Sequence, residues 1–248
     1  MSGSERRTMS GEITFTIDGV EVKGQAGQTI LQAAALAGIY IPHLCAKRGL
    51  SPWGSCRVCT VLVNGRSQAA CIQPIAEGIV VENETENLRR IRRELVEMLF
   101  VEGNHFCPFC EKSGNCELQA LGYRLGMLAP EYPYFFPVRE LDASHPDLFL
   151  DRNRCILCAR CVRASQELDG KHVYGFVGRG ANKRVAVNSG EGLVGTDAAV
   201  SDMASEICPV GALMKKRVGY AVPIGKRAYD QEPIGSHVEK TAQMGGQR

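Results

Sequence analysis

Residues 12–17 (Glu-Ile-Thr-Phe-Thr-Ile) alternate polar and apolar side chains, the period of two of a half-buried strand, and Asp18-Gly19 is a hairpin turn into Val20-Glu21-Val22. The run from Ile30 to Ala37 is rich in helix formers, is preceded by Thr29 as an N-cap and is ended by Gly38. Val58 to Val63 and the Asn64-Gly65 turn predict a second hairpin. Further on, Leu88, Ile91, Leu95, Met98 and Leu99 recur at helical spacing, while Arg89, Arg90, Arg92, Arg93, Glu94 and Glu97 mostly take other faces and read as a solvated surface. Asn83-x-x-Glu86 reads as the capping box that starts this helix. Residues 129–146 carry four prolines, which excludes regular helix and predicts a linker packed by its own aromatic side chains. Residues 175–180 and 189–192 are glycine-rich turns, and without a buried strand leading into G-x-G-x-x-G they do not read as a nucleotide site.

Composition narrows the function classes. The chain has 248 residues, room for one or two domains, and a formal charge of +2 with its basic residues scattered, which argues against nucleic-acid binding. Met1 to Ser10 lacks the apolar core of a secretory signal, and no segment is apolar for long enough to cross a bilayer, so a cytoplasmic location is expected. Eleven cysteines in a reducing compartment do not suit a disulfide framework, and the odd number would leave one unpaired. Metal is the better account.

The cysteines fall into three groups. Cys45, Cys56, Cys59 and Cys71 follow the strand, strand, helix order of a β-grasp ferredoxin, but with a longer first gap (C-x10-C-x2-C-x11-C) than the plant-type signature. Cys107, Cys110 and Cys116 leave a cube one ligand short, and His105 is the nearest candidate, with His145 and His172 as more distant ones; a three-cysteine site with an exposed iron is the alternative. Cys155, Cys158 and Cys161, completed by Cys208-Pro209, match the bacterial ferredoxin run C-x2-C-x2-C, while Ser165 stands where that run has its fourth cysteine. That pattern predicts one [4Fe-4S] cube with the partner cluster absent. Arg152, Arg154, Arg160 and Arg163 would offset its negative charge. A structural zinc site is the competing reading, although zinc sites are more usually built from two close pairs of ligands.

The segment Glu102 to Gln119, with one residue between His105 and Cys107, resembles the cluster segment with one histidine and three cysteines in the small iron-sulfur subunit of the diaphorase half of bidirectional, NAD-reducing [NiFe] hydrogenases. That family is related to the N-terminal cluster domains of the complex I 75 kDa subunit. The likeness extends from the β-grasp region through Lys216 to Tyr220 and Pro223-Ile224-Gly225. It implies an α+β chain: a flexible N-terminus (1–10), a β-grasp [2Fe-2S] domain (11–82), a small helical domain with a histidine/three-cysteine [4Fe-4S] cluster (83–128), a linker (129–146), a single-cluster ferredoxin-like [4Fe-4S] domain (147–220) and a polar tail (221–248). It also implies a relay of electrons. These would enter from the small and large hydrogenase subunits, pass the C-terminal and histidine-ligated cubes, and leave toward a flavin-containing diaphorase subunit that reduces NAD. FMN, NAD and the nickel-iron centre are expected on those partners, with no catalytic site on this chain. The equivalent subunit of a formate dehydrogenase or of complex I, and a zinc-stapled binding protein, are the rival readings.

Overall fold

The computed structural model describes residues 11–245, with the side chains of 242–245 set aside; the expectation of a flexible stretch over 1–10 lies outside the described residues. The chain divides into two compact units, one formed by residues up to Ile41, Cys59–Arg89 and Gly235 onward, the other by Pro42–Val58 and Arg90–Ile234.

The first unit is built on a five-stranded sheet. Strands β1 (Glu12–Ile17) and β2 (Val20–Gln25) form the expected hairpin, with Asp18 and Gly19 both at positive φ. Helix α1 (Ile30–Leu36) starts at Thr29, whose hydroxyl accepts from the Gln32 amide while the Gln32 side chain accepts from the Thr29 amide. This reciprocal cap satisfies two amides that a helix start otherwise leaves without partners. Strands β3 (Thr60–Val63) and β4 (Arg66–Ala69) pair antiparallel about Asn64-Gly65, and β5 (Val80–Glu82) lies between β1 and β3. The strand order is β2-β1-β5-β3-β4, with β1 and β5 parallel. Phe15, Ile17, Val22, Ile30, Ala33, Val61 and Val81 fill the core.

Helix α2 (Glu86–Val101) corrects two expectations: Arg92 and Glu97, expected on a solvated face, are buried, and the cap lies elsewhere. Its cap is Thr85, whose hydroxyl accepts from the Leu88 amide at 3.2 Å, and not Asn83. Asn83 is buried two residues earlier, its amide bonded to the Asp18 carboxylate at 2.7 Å, so it serves the β1–β2 turn instead.

In the second unit, α3 (Glu117–Arg124) follows the middle cysteines. The segment from 129 onward is irregular apart from β6 (Leu141–Asp142), which pairs with β7 (Leu148–Asp151). Tyr134 and Phe136 stack at 5.4 Å, but Phe135, Phe136 and Val138 are largely exposed, so the aromatics of this linker cover themselves only in part. Helix α4 (Arg160–Glu167), the hairpin β8 (Tyr174–Val177) and β9 (Arg184–Val187), the single turn α5 (Met203–Glu206) and β10 (Leu213–Lys215) complete a ferredoxin-like region, with β10 paired to β7. Ser165, standing in for a fourth cysteine, is buried, and its hydroxyl accepts from the Val173 amide at 2.9 Å, tying α4 to the approach of β8.

As far as residue 245, the stretch expected as a polar tail is held by specific bonds. Tyr229 donates its amide to Gly114 and Ala228 to the Asn115 side chain, Arg124 reaches the Ile234 carbonyl at 2.8 Å, and α6 (Ser236–Gly245) packs on α1 within the first unit. Polarity misled here because many of the bonds fastening the segment run through backbone groups, which leave no mark on side-chain pattern. Among the described residues no helix is long and apolar enough to cross a membrane.

Candidate metal centres

The C-terminal thiols sit in a loop whose backbone is turned inward by two residues in the left-handed region, Leu157 and Ala159, with φ of 53° and 59°. Such conformations cost energy in residues bearing a side chain and persist where surrounding structure enforces them. Their effect is to bring amides to sulfur: the Leu157 N–H reaches Cys155 and the Arg160 N–H reaches Cys158. Cys161 lies one residue into α4, and Cys208 follows α5. The four cysteines line one cavity with apolar neighbours that include Leu150, Val185 and Ala212. Burial pushes the Cys155 thiol up to about 11 and the Cys158 thiol up to about 12, so without metal these groups stay protonated and a metal bound there would have to displace their protons.

In the middle group, Cys107 and Cys110 bracket one 3₁₀ turn (Cys107–Phe109), and Cys116 occupies the N-cap of α3, close enough to the amides of Leu118 and Gln119 for them to favour its thiolate without a side-chain cap bond. Burial pushes the Cys116 thiol up to about 12 despite those amides. His105 is half-buried, with the Leu99 carbonyl favouring a proton on its ring, and Nε2 is buried with no partner among the described residues. Burial, helped by the Arg154 charge, lowers His105 to about 4, so the ring is neutral near pH 7. A neutral imidazole beside a backbone carbonyl, with one nitrogen left bare, is how a metal-ligating histidine is held. The space around it depends on Gly103, where a Cβ would lie 2.7 Å from His105 Nε2 and 2.8 Å from the Asn153 carbonyl oxygen. The more distant histidines are otherwise engaged or exposed: His145 Nδ1 accepts from the amides of Asp147 and Leu148 while Nε2 meets the Ala198 carbonyl, and His172 is exposed.

The N-terminal group is divided between the two units. In the first unit, the Cys59 carbonyl accepts from the Ala70 amide at 3.0 Å beside the β3–β4 pair, and Cys59 and Cys71 are both buried. In the second, the Cys45 amide donates to Cys56 Sγ at 3.4 Å, and the Cys45 thiol together with burial pushes the Cys56 thiol up.

Within the second unit the cysteine segments are laced together. The Glu117 amide, next to Cys116, donates to the Pro209 carbonyl, next to Cys208, at 2.9 Å; the Asn104 amide, next to His105, donates to the Asn153 carbonyl, two residues before Cys155, at 2.8 Å. Gly211 allows a further close approach, since a Cβ there would lie 2.8 Å from Cys110 Sγ. None of the four arginines is simply solvated. Arg154 bonds Glu111 at 2.9 Å and Asp151 at 3.0 Å and lies 3.7 Å from Cys110 Sγ; Arg152 is buried against the Val185 carbonyl. Arg160, fully buried, forks onto Glu117 at 2.8 and 2.6 Å and reaches the Ala46 carbonyl at 3.0 Å. Burial alone would raise Glu117, but the Arg160 bond outweighs it and the carboxyl ends lowered. Sequence reasoning named these arginines but missed Glu117 and Gly103; a charged residue beside a cysteine was the one visible signal for the former.

Among the described residues no three His, Cys, Asp or Glu side chains gather closely enough to hold a single metal ion. Fold and donor set define an iron-sulfur-binding protein of mixed α+β build. Residues 10–86 match the 2Fe-2S iron-sulfur cluster binding domain, residues 92–130 the NADH-ubiquinone oxidoreductase-G iron-sulfur binding region, and residues 146–214 the ferredoxin-like domain of NADH-quinone oxidoreductase subunit 3. The NAD-reducing hydrogenase HoxS subunit gamma of Cupriavidus necator is 41% identical over 223 residues, 90% of this chain and 95% of that one. The NADPH-Fe(3+) oxidoreductase subunit alpha of Geobacter sulfurreducens is 36% identical over 206 residues, but this chain spans only 24% of its length. A chain in the crystal structure of an NAD+-reducing [NiFe]-hydrogenase in the H2-reduced state superposes with a TM-score of 0.89 at 51% identity, covering 93% of this chain and 98% of that one. The chain belongs to the family of iron-sulfur gamma subunits of NAD-reducing hydrogenases.

Proposed function

We propose that this chain is the electron-relay subunit of a cytoplasmic NAD-reducing [NiFe] hydrogenase, carrying electrons between the small and large hydrogenase subunits and a flavin-containing diaphorase subunit that reduces NAD. Cys45, Cys56, Cys59 and Cys71 hold a [2Fe-2S] centre; His105, Cys107, Cys110 and Cys116 hold one [4Fe-4S] cube; Cys155, Cys158, Cys161 and Cys208 hold another. FMN, NAD and the nickel-iron centre belong to the partner subunits. When bound, the clusters supply one-electron transfer without proton or group chemistry.

The residues of this chain do the rest. Buried thiols and apolar side chains keep water from the sites, amides aimed at the sulfurs favour added negative charge, and the backbone bonds between the middle and C-terminal segments hold their spacing fixed. The observation that carries the reading is the bare, buried Nε2 of His105, two residues before the first of three cysteines that form no disulfide, a polar atom whose burial costs free energy unless something ligates it. The match to almost the full length of a hydrogenase gamma subunit favours that complex over the formate dehydrogenase or complex I type. Low-temperature EPR with iron and sulfide analysis on the intact complex tests it: about ten irons per chain are expected, two in the small centre and four in each cube. A colourless, zinc-loaded preparation sinks the proposal. The His105→Cys variant is expected to keep its cube at a lowered potential, because a thiolate adds negative charge, and an unchanged spectrum removes His105 from the ligand set.

A further inference from the structure

The four arginines around the C-terminal thiols differ in one respect. Arg154 and Arg160 are paired with carboxylates, and Arg152, which bonds the Val185 and Glu140 carbonyls, lies near the Asp142 carboxylate. Arg163 is only 4% exposed, yet among the described residues its guanidinium bonds nothing but backbone carbonyls. Nε donates to Ala159 at 3.3 Å, Nη1 donates to Ser51, and Nη2 donates to Cys45 at 2.6 Å and, at the limit of a hydrogen bond, to Cys158 at 3.5 Å. Trp53 covers it, with the ring centroid 5.8 Å away. The neighbouring carboxylate, Glu167, acts on it electrostatically but is exposed and bonded to Ser51, which donates to it through both its amide and its hydroxyl. A buried cation satisfied by carbonyl dipoles alone is costly unless a counter-charge lies close by. The two carbonyls shared by Nη2 belong to cysteines from two different thiol groups.

We propose that Arg163 is the shared counter-cation of the [2Fe-2S] centre and the C-terminal [4Fe-4S] cube, a positioning residue that raises the reduction potential of both while leaving the histidine-ligated cube unaffected. The inference rests on the cluster assignment given above. A thiolate-ligated cluster is anionic and becomes more so on accepting an electron, so a fixed positive charge nearby stabilises the reduced form. One guanidinium bonded to a carbonyl from each ligand set also holds the loop carrying Cys45 against the start of α4. One charge shared by two centres moves both potentials the same way and leaves the gap between them little changed.

The test uses the intact complex carrying Arg163→Gln, which removes the charge but keeps an amide donor, and Arg163→Lys, which keeps the charge but loses the planar fork. EPR-monitored redox titration reads all three centres. In Arg163→Gln the [2Fe-2S] and C-terminal signals are expected to move to lower potential together, by a tenfold change in reduced-to-oxidised ratio or about 59 mV for a one-electron couple, with the histidine-ligated signal unmoved. In Arg163→Lys both stay near the wild-type values. Unmoved potentials in Arg163→Gln overturn the proposal, as does a uniform shift of all three signals. If Arg163→Gln does not retain its clusters, Arg163→Lys decides: retained clusters at wild-type potentials support the charge, and lost clusters or displaced potentials overturn it in favour of a purely structural fork. Wild-type complex without the expected [2Fe-2S] and [4Fe-4S] signals would instead defeat the cluster assignment, an outcome read before any variant is made.

Discussion

Gly103→Ala isolates the histidine-ligated site. Gly103 is not in the left-handed region, so alanine brings no backbone strain, and its effect comes from one methyl group. That methyl would sit 2.7 Å from His105 Nε2, 2.8 Å from His105 Cδ2 and 2.8 Å from the Asn153 carbonyl oxygen, against an ordinary contact of about 3.5 Å or more. The carbonyl is poorly placed to yield, because it accepts the Asn104 amide at 2.8 Å and lies two residues before Cys155. The imidazole must therefore move, although Phe100 packs edge-on against it at 5.4 Å and the Leu99 carbonyl favours a proton on its ring. Overpacking of this kind costs about 1–3 kcal/mol. Borne by the ligand, that is roughly a 5- to 150-fold weaker hold on iron. The assay is EPR with iron counting on the purified complex. The histidine-ligated signal is expected to weaken or shift, with iron content falling toward about six per chain, while the other two signals keep their line shapes. Three unchanged signals with full iron would refute the placement of Nε2 as a ligand atom.

Glu117→Gln leaves the fully buried Arg160 without its carboxylate, and breaking such a pair costs on the order of 3 kcal/mol; chemical denaturation should show a lowered midpoint, with Arg160→Met in the same chain recovering most of it. Lys47, 3.5 Å from Glu117 but half exposed, contributes little to that figure. Thr29→Ala removes one half of the α1 capping box and should lower stability by about 1 kcal/mol without moving any EPR signal. In the cluster-stripped chain His105 is held down to about 4 mainly by burial, against about 6.5 when unfolded. Between those values the unfolded chain binds the extra proton, so stability is full above about pH 6.5 and lost as pH falls toward 4, by on the order of 3 kcal/mol. A urea-midpoint profile of His105→Gln, set beside the wild type, should lack that acid-side slope.

The sequence alone determined the grouping of the cysteines and much of the local structure. Cysteine grouping depends only on order along the chain, and tight hairpins and the Thr29 cap are decided by residues within a few positions of one another, so Asp18-Gly19, Asn64-Gly65 and α1 were legible. Tertiary structure decided whatever depends on partners distant in sequence. Asn83 had the form of a helix cap, but Asp18 claims its amide and passes the cap to Thr85; the polar C-terminal stretch looked unanchored, but its backbone bonds to residues over a hundred positions earlier. The clearest case is the arginines. Four of the same residue type within twelve positions are indistinguishable as text, yet folding gives Arg160 a carboxylate from α3 and Arg163 only carbonyls, two of them from cysteines of different groups. A buried charge takes its meaning from what surrounds it in space, and spatial surroundings are what a linear chain does not display.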